Sequence, residues 1–295
     1  MLNITETSFN FAHDGKPVAT CNPGETILFT TLDCFSNDIK TEEDLVINID
    51  FSRANPATGP VFIEGAEPGD ILVVDILDIK TASSGCTTTL PGIGPLRDVV
   101  ETRTRILPVE NGKIKFNGLE FDARPMIGVI GTAPATGSIP SGHPGDHGGN
   151  MDCNLIVKGT RLFLPVRVKG ALLAMGDIHA AMADGELCGT GVEVPGEITV
   201  KTELIKNVEL NWPALEANNG KFYIIASALE YADALKAASV EMARLLSKAY
   251  GWDITDCFIY LSLQGDVEVC QACKPVDLEL IIRMGVPKRV DFPLL

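Results

Sequence analysis

The chain has 295 residues, 45% of them hydrophobic, and a formal net charge of −15. This apolar content is sufficient for a sizeable core, and the acidic balance disfavours nucleic acid and anionic lipid as partners. Met1 to Phe11 has no basic start, and no window approaches the about 20 apolar residues of a spanning helix. We therefore expect neither a signal peptide nor a membrane segment, and a cytoplasmic location.

The N-terminal half consists of short segments rich in Val, Ile, Leu, Phe and Thr, separated by Gly and Pro, which predicts β-strands. The predicted strands are Thr26 to Leu32, Leu45 to Asp50, Ile71 to Ile79, Lys113 to Phe116 and Met126 to Ile130. The Asn111-Gly112 step predicts a tight hairpin turn. Asp98 to Arg105 is compatible with either a short helix or an extended connection.

The next segment, Gly131 to Asn150, is rich in Gly, Pro, Ser and Thr, and predicts a long loop. A loop of this length inside a compact domain is usually functional. Beyond it the pattern again predicts strands. These are Thr160 to Val168, Ala171 to Met175, Val192 to Ile205 with a bend at Pro195-Gly196, Tyr223 to Ala228, Val267 to Gln271 and Leu278 to Ile282.

One long helix is predicted from Tyr231 to Tyr250, where apolar residues recur at helical spacing and Gly251 supplies a stop. Asp256 to Leu263 is compatible with a second helix or a strand. The fold class predicted from these elements is α+β and β-dominated. Residues 1–295 form a single domain in this interpretation, or two β-rich subdomains divided near 130–150.

The eight cysteines are expected to be reduced thiols, because a chain of this length without an export signal is unlike a disulfide scaffold. Cys270 and Cys273 form a C-x-x-C pair with no second pair at zinc-finger spacing. A structural role is the simpler interpretation, and a redox or metal role stays open.

Two motifs carry candidate chemistry. In the first, His143 and His147 are four residues apart, but the intervening Pro144 and Gly145 exclude the helix on which such a pair binds zinc. The glycines that follow would instead let the backbone approach a ligand closely. The alternative is an ordinary glycine-rich surface loop.

The second motif places five acidic or histidine side chains within seventeen residues: Asp177, His179, Asp184, Glu186 and Glu193. If the preceding strand continues, Asp177 and His179 share one face, because side chains alternate along a strand. Histidine with carboxylates is the ligand set of a catalytic zinc site, whereas carboxylates with carbonyl groups suit calcium or magnesium. A turn with solvated acids is the alternative.

Such a site would suit amide hydrolysis. A divalent metal can polarise a carbonyl group and lower the pKa of bound water to about 7, and a nearby carboxylate or histidine can protonate the leaving amine. The motifs of serine hydrolases and of phosphate-binding or dinucleotide-binding loops are absent from the sequence. A bare Gly-x-Gly at Gly92 to Gly94 is weak support for nucleotide binding.

The motifs together resemble the acetamidase/formamidase family. The resemblance rests on five segments that cover nearly the whole chain. They are Leu32 to Asn37, Gly59-Pro60 with Glu64 to Asp70, His147 to Asp152, Gly176 to His179 with Asp184 to Glu186, and Gly265-Asp266 with Cys270-Gln271. Asn55 to Pro60 departs from the pattern, because it lacks the histidine expected just before Gly59-Pro60.

The resemblance implies a hydrolase acting on the C–N bonds of short linear amides such as formamide and acetamide, giving ammonia and a carboxylate. It also implies bound zinc, or else calcium, and a homo-oligomer, either a dimer or an assembly of dimers. The metal-ligand candidates are His179, Asp152, Asp177, Asp184, Glu186 and Glu193. The catalytic candidates are Asp152, His147, Asn150 and Glu186, and the substrate-binding candidates are Gly148, Gly149 and Asp33.

Within this hypothesis, Asn150 or the Gly148-Gly149 amides stabilise the oxyanion, and His147 or a free carboxylate transfers the proton. Three rival hypotheses remain open. The chain could be a non-catalytic binding protein stabilised by calcium, an amidase for a different linear amide, or a thiol-dependent amidase with Cys153 as nucleophile.

Overall fold

Strands make up most of the regular structure of the computed structural model, which describes residues 1–273 and 278–295. The first strands are β1 Leu2–Ile4, β2 Thr7–Ser8, β3 Asn10–Ala12, β4 Ala19–Cys21, β5 Thr26–Thr31, β6 Ala57–Ile63, β7 Ile71–Thr81, β8 Ser84–Thr88, β9 Thr104–Glu110, β10 Lys113–Phe116, β11 Leu119–Asp122 and β12 Met126–Gly131. The others are β13 Ser138–Pro140, β14 Pro144–Gly145, β15 Gly148–Asn150, β16 Arg161–Pro165, β17 Leu173–His179, β18 Glu193–Val194, β19 Gly196–Ile205, β20 Ala214–Glu216, β21 Lys221–Ala228, β22 Asp266–Gln271 and β23 Leu280–Pro287. The helices are α1 Tyr231–Tyr250 and α2 Ile254–Gln264, with single 3₁₀ turns at Val46–Asn48 and Phe51–Arg53. The predicted β-dominated α+β class is confirmed.

Two large sheets contain nearly all of these strands. The first has nine strands in the order β1-β5-β19-β7-β16-β20-β21-β23-β22. The second has twelve, and its main path runs β11-β10-β9-β8-β18-β17-β12-β15-β14, with β6 joined to β17 and to β2 and β4. Both sheets take strands from each side of residues 130–150, and the predicted division there stays a prediction.

The main core lies between the two sheets. Alternate residues of β7 separate to its two faces, because side chains of a strand alternate with period two. Leu72 and Val74 pack into the core shared with β12 and β17, whereas Ile71 and Val73 pack into a second core. The second core lies between the nine-stranded sheet and α1, whose buried Ala238 and Met242 belong to it.

Several predicted elements are confirmed. Helix α1 has the predicted bounds, and Gly251 ends it in the left-handed conformation with its N–H donated to the Ser247 carbonyl. Asn111 and Gly112 both have positive φ and join β9 to β10, as the hairpin signal predicts. All eight cysteines are free thiols. Among the described residues, no helix is long and apolar enough to cross a membrane, and the cytoplasmic location stays a prediction.

Other predictions were wrong or incomplete. Leu45 to Asp50 is not a strand: Val46–Asn48 forms a 3₁₀ turn in which Val46 packs in a small core with Cys34, while Ile47 is exposed. Gly131 to Asn150 is not one loop, because it contains β13, β14 and β15. The bend at Pro195-Gly196 separates β18 from β19, which belong to different sheets. Asp256 to Leu263 lies in α2, and Asp98 to Arg105 is mostly irregular.

Candidate active site

Five predicted residues meet at the ends of β17 and β18 and form what we call the central cluster. Its members are Asp152, Asp177, His179, Glu186 and Glu193. Strand β17 supplies Asp177 and His179, β18 supplies Glu193, and two loops supply the remaining acids. The register of β17 and β18 places His179 directly opposite Glu193. Side chains from four separate segments therefore converge because the strands pair in this order.

Distances within the central cluster are short. His179 Nε2 lies 3.1 Å from Glu193 Oε2, 3.3 Å from Asp177 Oδ1 and 3.9 Å from Asp152 Oδ1. Ligand atoms of Asp152, His179 and Glu186 lie within 4.8 Å of one another. A second group with the same spacing contains Asp177 and Glu193 together with Cys34. Each group has the size and donor types of a metal-ligand set.

The backbone beneath the cluster is strained. Asp152, Asp177 and Glu186 have φ values of +39°, +55° and +43°, a region that side chains other than glycine rarely adopt. Gly128 lies across from Asp177 in the pairing of β12 with β17, and a Cβ there would be 2.5 Å from Asp177 Oδ2 and 2.7 Å from Asp152 Oδ1. Left-handed backbone and a missing side chain together allow the two carboxylates to lie side by side. Such strain concentrates at functional sites.

Burial and mutual repulsion hold the carboxyl groups in an unusual protonation state. Burial, with the neighbouring carboxylates, raises the pKa of Glu193 to about 8 and raises that of Asp152 well above its usual range. Burial also raises the pKa of Glu186. Burial acts to lower the pKa of His179, but Glu193 and Asp177 outweigh it and raise that pKa well above 6.5. The cluster thus attracts positive charge, either protons or a cation.

A divalent cation fits this donor set. Asp152 Oδ1, Asp177 Oδ1 and Glu193 Oε2 are buried and accept no hydrogen bond, although buried polar atoms normally have a partner. The residues are nine-tenths buried or more, so solvent does not compensate them. Three orphaned carboxylate oxygens around one imidazole are the arrangement that a bound metal ion would complete.

Two residues of the site were not among the predicted site residues. Gln271 Nε2 donates to Asp152 Oδ2 and to Glu186 Oε2, both at 2.6 Å, and so joins two like charges. Cys34 contributes its sulfur to the second group. Both fall in segments that carried the family resemblance, but Gln271 is 119 residues from Asp152 and no local spacing connects them.

A cavity of about 500 Å³ adjoins the central cluster. Gln271 and Cys34 line it, and these residues also contact the two groups of cluster carboxylates, so the cavity leads to the cluster. Asn150 also lines it, and the Asn150 Oδ1 atom is buried without a hydrogen-bond partner. A concave pocket with a few convergent polar groups is the usual form of a small-molecule site.

Other predicted residues lie outside the cluster. Asp184 forms a two-pronged ion pair with Arg283, at 2.9 Å and 2.7 Å, and points away from the metal-ligand groups. Asp33 Oδ1 accepts the backbone N–H groups of Phe35 and Asn37, which shapes the turn that presents Cys34. Asp33 is therefore a positioning residue for this turn, and its predicted role in substrate binding stays a prediction.

The glycine-rich segment has a mixed outcome. His147 is fully buried against Phe11, with ring centroids 5.1 Å apart, and burial lowers its pKa to about 4. Among the described residues, no hydrogen bond or ion pair connects its imidazole to the central cluster. Gly148 and Gly149 lie in β15, which pairs with β12 and with β14. Their catalytic roles stay predictions, whereas His143 and Asn150 of the same segment line the cavity.

Cys153 does not have the surroundings of a nucleophile that reaches substrate. It is fully buried, it does not line the cavity, and its sulfur lies 3.9 Å from Arg283 Nη1. Hydrogen bonding with Cys270 and the Arg283 charge lower its pKa to about 7 despite burial. Cys270 is likewise buried beside Arg283. These two thiols are part of the packing behind the site.

Comparison with known proteins gives consistent results. A model of the acetamidase/formamidase family matches residues 5–143 and 138–274. The crystal structure of an acetamidase from Bacillus halodurans is 40% identical, covers 97% of each chain and superposes with a TM-score of 0.92. That of a recombinant predicted acetamidase/formamidase from Thermoanaerobacter tengcongensis is 38% identical, with 97% of this chain and 95% of the other covered and a TM-score of 0.93.

Among curated proteins, a formamidase of Methylophilus methylotrophus is 27% identical, with 64% of this chain and 62% of the formamidase aligned. The chain spans slightly less than two thirds of the length of the curated relatives that it matches.

Proposed function

This chain belongs to the acetamidase/formamidase family, and we propose that it is an amidase that hydrolyses the C–N bond of linear amides with a divalent metal ion. The observation that carries the proposal is the central cluster, in which buried carboxylate oxygens without partners surround His179 beside a cavity. The acetamidase and formamidase relatives support the reaction class.

The metal ion would be held by the central cluster, with Cys34 within reach of the second group. When bound, the ion would polarise the amide carbonyl group and lower the pKa of a water molecule at the site. Zinc is favoured over calcium because the donor set includes an imidazole and a thiol as well as carboxylates. Gln271 would keep Asp152 and Glu186 at a fixed separation, as outer hydrogen bonds do for metal ligands.

Substrate contacts would come from the cavity side. Asn150 Oδ1 has no partner and can accept a hydrogen bond from the amide NH₂ group, while Asn150 Nδ2 makes only a 3.4 Å contact with the Gly142 carbonyl and can turn to the developing oxyanion. A carboxyl group of the cluster that does not hold the ion can deliver a proton to the leaving amine, and burial, which raises the pKa of Glu186, favours the protonated form that this step needs.

The same proposal includes self-assembly. Helix α2 exposes Ile254, Phe258 and Leu263, each more than half accessible, and carries only one charged residue, Asp256. An uncharged apolar face on an acidic protein favours contact between copies of the chain. A dimer or an assembly of dimers is the expected state, which light scattering at several protein concentrations measures directly.

Ammonia release tests the reaction class and the metal together. The purified chain would be assayed on formamide, acetamide and propionamide as isolated, after chelation, and after zinc or calcium is returned, with bound metal counted by elemental analysis. We expect turnover that chelation removes and one metal restores. Turnover that persists at zero metal would overturn the metal requirement.

A pair of variants distinguishes the effect of losing a cluster residue from general effects of substitution. His179→Ala should lose bound metal and turnover, because it removes the only imidazole of the cluster. Asp78→Asn, which removes an exposed partner of Lys158 on the other side of the nine-stranded sheet, should retain both. If no amide is turned over but chelation lowers the melting temperature, a metal-stabilised binding protein is the better description.

A further inference from the structure

The cavity beside the central cluster is larger than short amides require. Its volume of about 500 Å³ lies within the ~300–1,000 Å³ typical of pockets for much larger organic ligands. Formamide and acetamide carry at most a methyl group beside the carbonyl carbon. Bound at the cluster, either molecule would fill only the inner end of the cavity and leave the rest of the lining in contact with water.

The lining separates into two chemical parts. The inner part is polar and includes Asn150, Gln271 and Ser141, with Asn150 Oδ1 and Ser141 Oγ both buried and without hydrogen-bond partners. Apolar side chains form another part of the lining, next to the polar Asn10, Ser52, Asn55 and His143. We name this apolar part the acyl pocket and define it by Phe35, Phe51, Leu90 and Ile93.

The described part of the lining has no permanently charged side chain. Among the described residues that line the cavity, there is no Lys, Arg, Asp or Glu, and His143, whose Nδ1 lies 3.8 Å from Glu279 Oε2, is the one histidine. A charged group on the substrate that lay against Phe35, Phe51, Leu90 and Ile93 would lose its hydration without gaining a partner, which is strongly unfavourable. This part of the cavity favours a neutral, apolar substituent.

We infer that this site selects primary amides with a neutral alkyl chain of about the length of hexanamide, the carboxamide lying against Asn150 and Gln271 and the alkyl chain in the acyl pocket. The inference rests on the proposed amidase function and specifies its substrate class. Each methylene group buried in the acyl pocket should raise kcat/KM about fourfold until the pocket is full.

A chain-length series tests this directly. The metal-loaded protein would be assayed on formamide, acetamide, butanamide and hexanamide, with adipamic acid, the analogue of hexanamide that ends in a carboxylate, as the charge control. We expect kcat/KM to rise about fourfold per methylene group to hexanamide, and adipamic acid to be no better than acetamide. A flat or falling series overturns the inference and leaves the amidase function intact.

A variant localises the effect. Ile93→Ala removes apolar surface from the acyl pocket, so the ratio of kcat/KM for hexanamide to that for acetamide should fall about tenfold. Val99→Ala is the matched control, because Val99 is 80% exposed and lies outside the cavity. An unchanged ratio in Ile93→Ala overturns the assignment of the acyl pocket.

Binding separates failure of this inference from failure of the amidase function. Calorimetry would compare hexanamide and acetamide with the metal-loaded protein. Tighter binding of hexanamide without turnover of any amide supports the acyl pocket and overturns the amidase function. Equal binding of the two amides, or none, together with no turnover, overturns both.

Discussion

Two groups of charged residues lie close together in this protein and differ in whether their charges are paired. Arg283 is buried, yet Asp184 accepts from both of its terminal nitrogens and Glu268 accepts from Nε at 2.6 Å. Its guanidinium also lies 5.8 Å from the centre of the Tyr223 ring. In this set, which we call the Arg283 network, each charged group has a partner of opposite charge.

The central cluster lacks such pairing. It contains four carboxylates and one imidazole, and in the described part of the chain no Lys or Arg forms an ion pair with any of them. Gln271 is the neutral side chain that relieves part of the repulsion. Asp184 and Glu186 are only two residues apart, but one belongs to each group. A self-satisfied network stabilises a fold, whereas an unsatisfied one has binding capacity left for a ligand.

The largest effect on activity is expected from a substitution that disrupts the central cluster but not the fold. Asp177→Asn keeps the shape of the side chain, and asparagine tolerates the left-handed backbone at this position. We expect kcat/KM for the best amide to fall by at least about a thousandfold, since a metal ion contributes several kcal/mol of charge stabilisation. The melting temperature of the metal-free protein should stay the same or rise, because one of several repelling charges is removed.

Steady-state kinetics and calorimetric melting after chelation measure both quantities, with Asp78→Asn as the control. A large fall in the melting temperature of metal-free Asp177→Asn would mean that Asp177 is a structural acid like those of the Arg283 network.

Removing a charge from the Arg283 network should destabilise the protein, in contrast to removing one from the central cluster. Arg283→Met keeps the apolar bulk but leaves Asp184 and Glu268 without their buried cation. Because these two carboxylates are 45% and 29% exposed and so partly hydrated, the free energy of unfolding should fall by about 2–3 kcal/mol. Urea titration of the metal-free protein measures it. Adding Asp184→Asn and Glu268→Gln to this variant should restore part of the loss, because no unpaired carboxylate then remains. A triple variant as unstable as Arg283→Met would contradict this account.

Sequence reasoning identified the elements with local signals. The helix from Tyr231 to Tyr250, the Asn111-Gly112 hairpin and the acids beside His179 all follow from spacing over a few residues. The prediction of a strand from Leu45 to Asp50 was wrong, because apolar residues of this segment pack around Cys34 and that packing overrides the local preference for strand.

The composition of the site was harder to predict. Asp184 and Glu186 have the same local context in sequence, and only the position of Arg283, 99 residues from Asp184, separates their roles. Gln271 is brought to the site by an isolated β-bridge with Gly185 and contacts Asp152 across 119 residues of sequence, so no window of sequence reveals it. His147 was chosen because it lies in a motif shared with the family, and no pattern in the sequence predicts that the fold buries it against Phe11.

A smaller effect on metal affinity or kcat/KM is expected from removing the side chain that bridges two carboxylates of the cluster. Gln271→Ala removes both hydrogen bonds between Asp152 and Glu186, and we expect metal affinity or kcat/KM to fall about ten- to hundredfold, the usual effect of losing an outer partner of metal ligands. Competition with a chromogenic chelator measures the affinity. Gln264→Ala, at the exposed end of α2, is the matched control. Unchanged affinity and turnover in Gln271→Ala would show that the carboxylates need no bridge.

The smallest effect concerns a buried carboxylate outside both groups. Glu241 is buried on α1 and accepts from Arg244 at 2.6 Å and 2.9 Å and from Asn211 at 2.9 Å. Burial alone would raise its pKa, but the hydrogen bonds of Arg244 and Asn211 outweigh burial and lower it. A depressed pKa in the folded state stabilises the protein at pH values above the unfolded pKa. This stability is lost as the pH falls through the folded pKa.

Glu241→Gln should therefore be less stable than the parent by about 2 kcal/mol at pH 7, because it loses hydrogen bonds to a charged group. The difference in stability should narrow as the pH falls below about 5. Unfolding of the parent then takes up a proton on Glu241, which stabilises its unfolded state. Urea titrations at several pH values measure it, with Glu120→Gln, an exposed position on β11, as the control. A difference that stays constant down to the pH of acid unfolding would mean that Glu241 stabilises by shape alone. In that case the contrast between satisfied and unsatisfied carboxylates would rest on the Arg283 network.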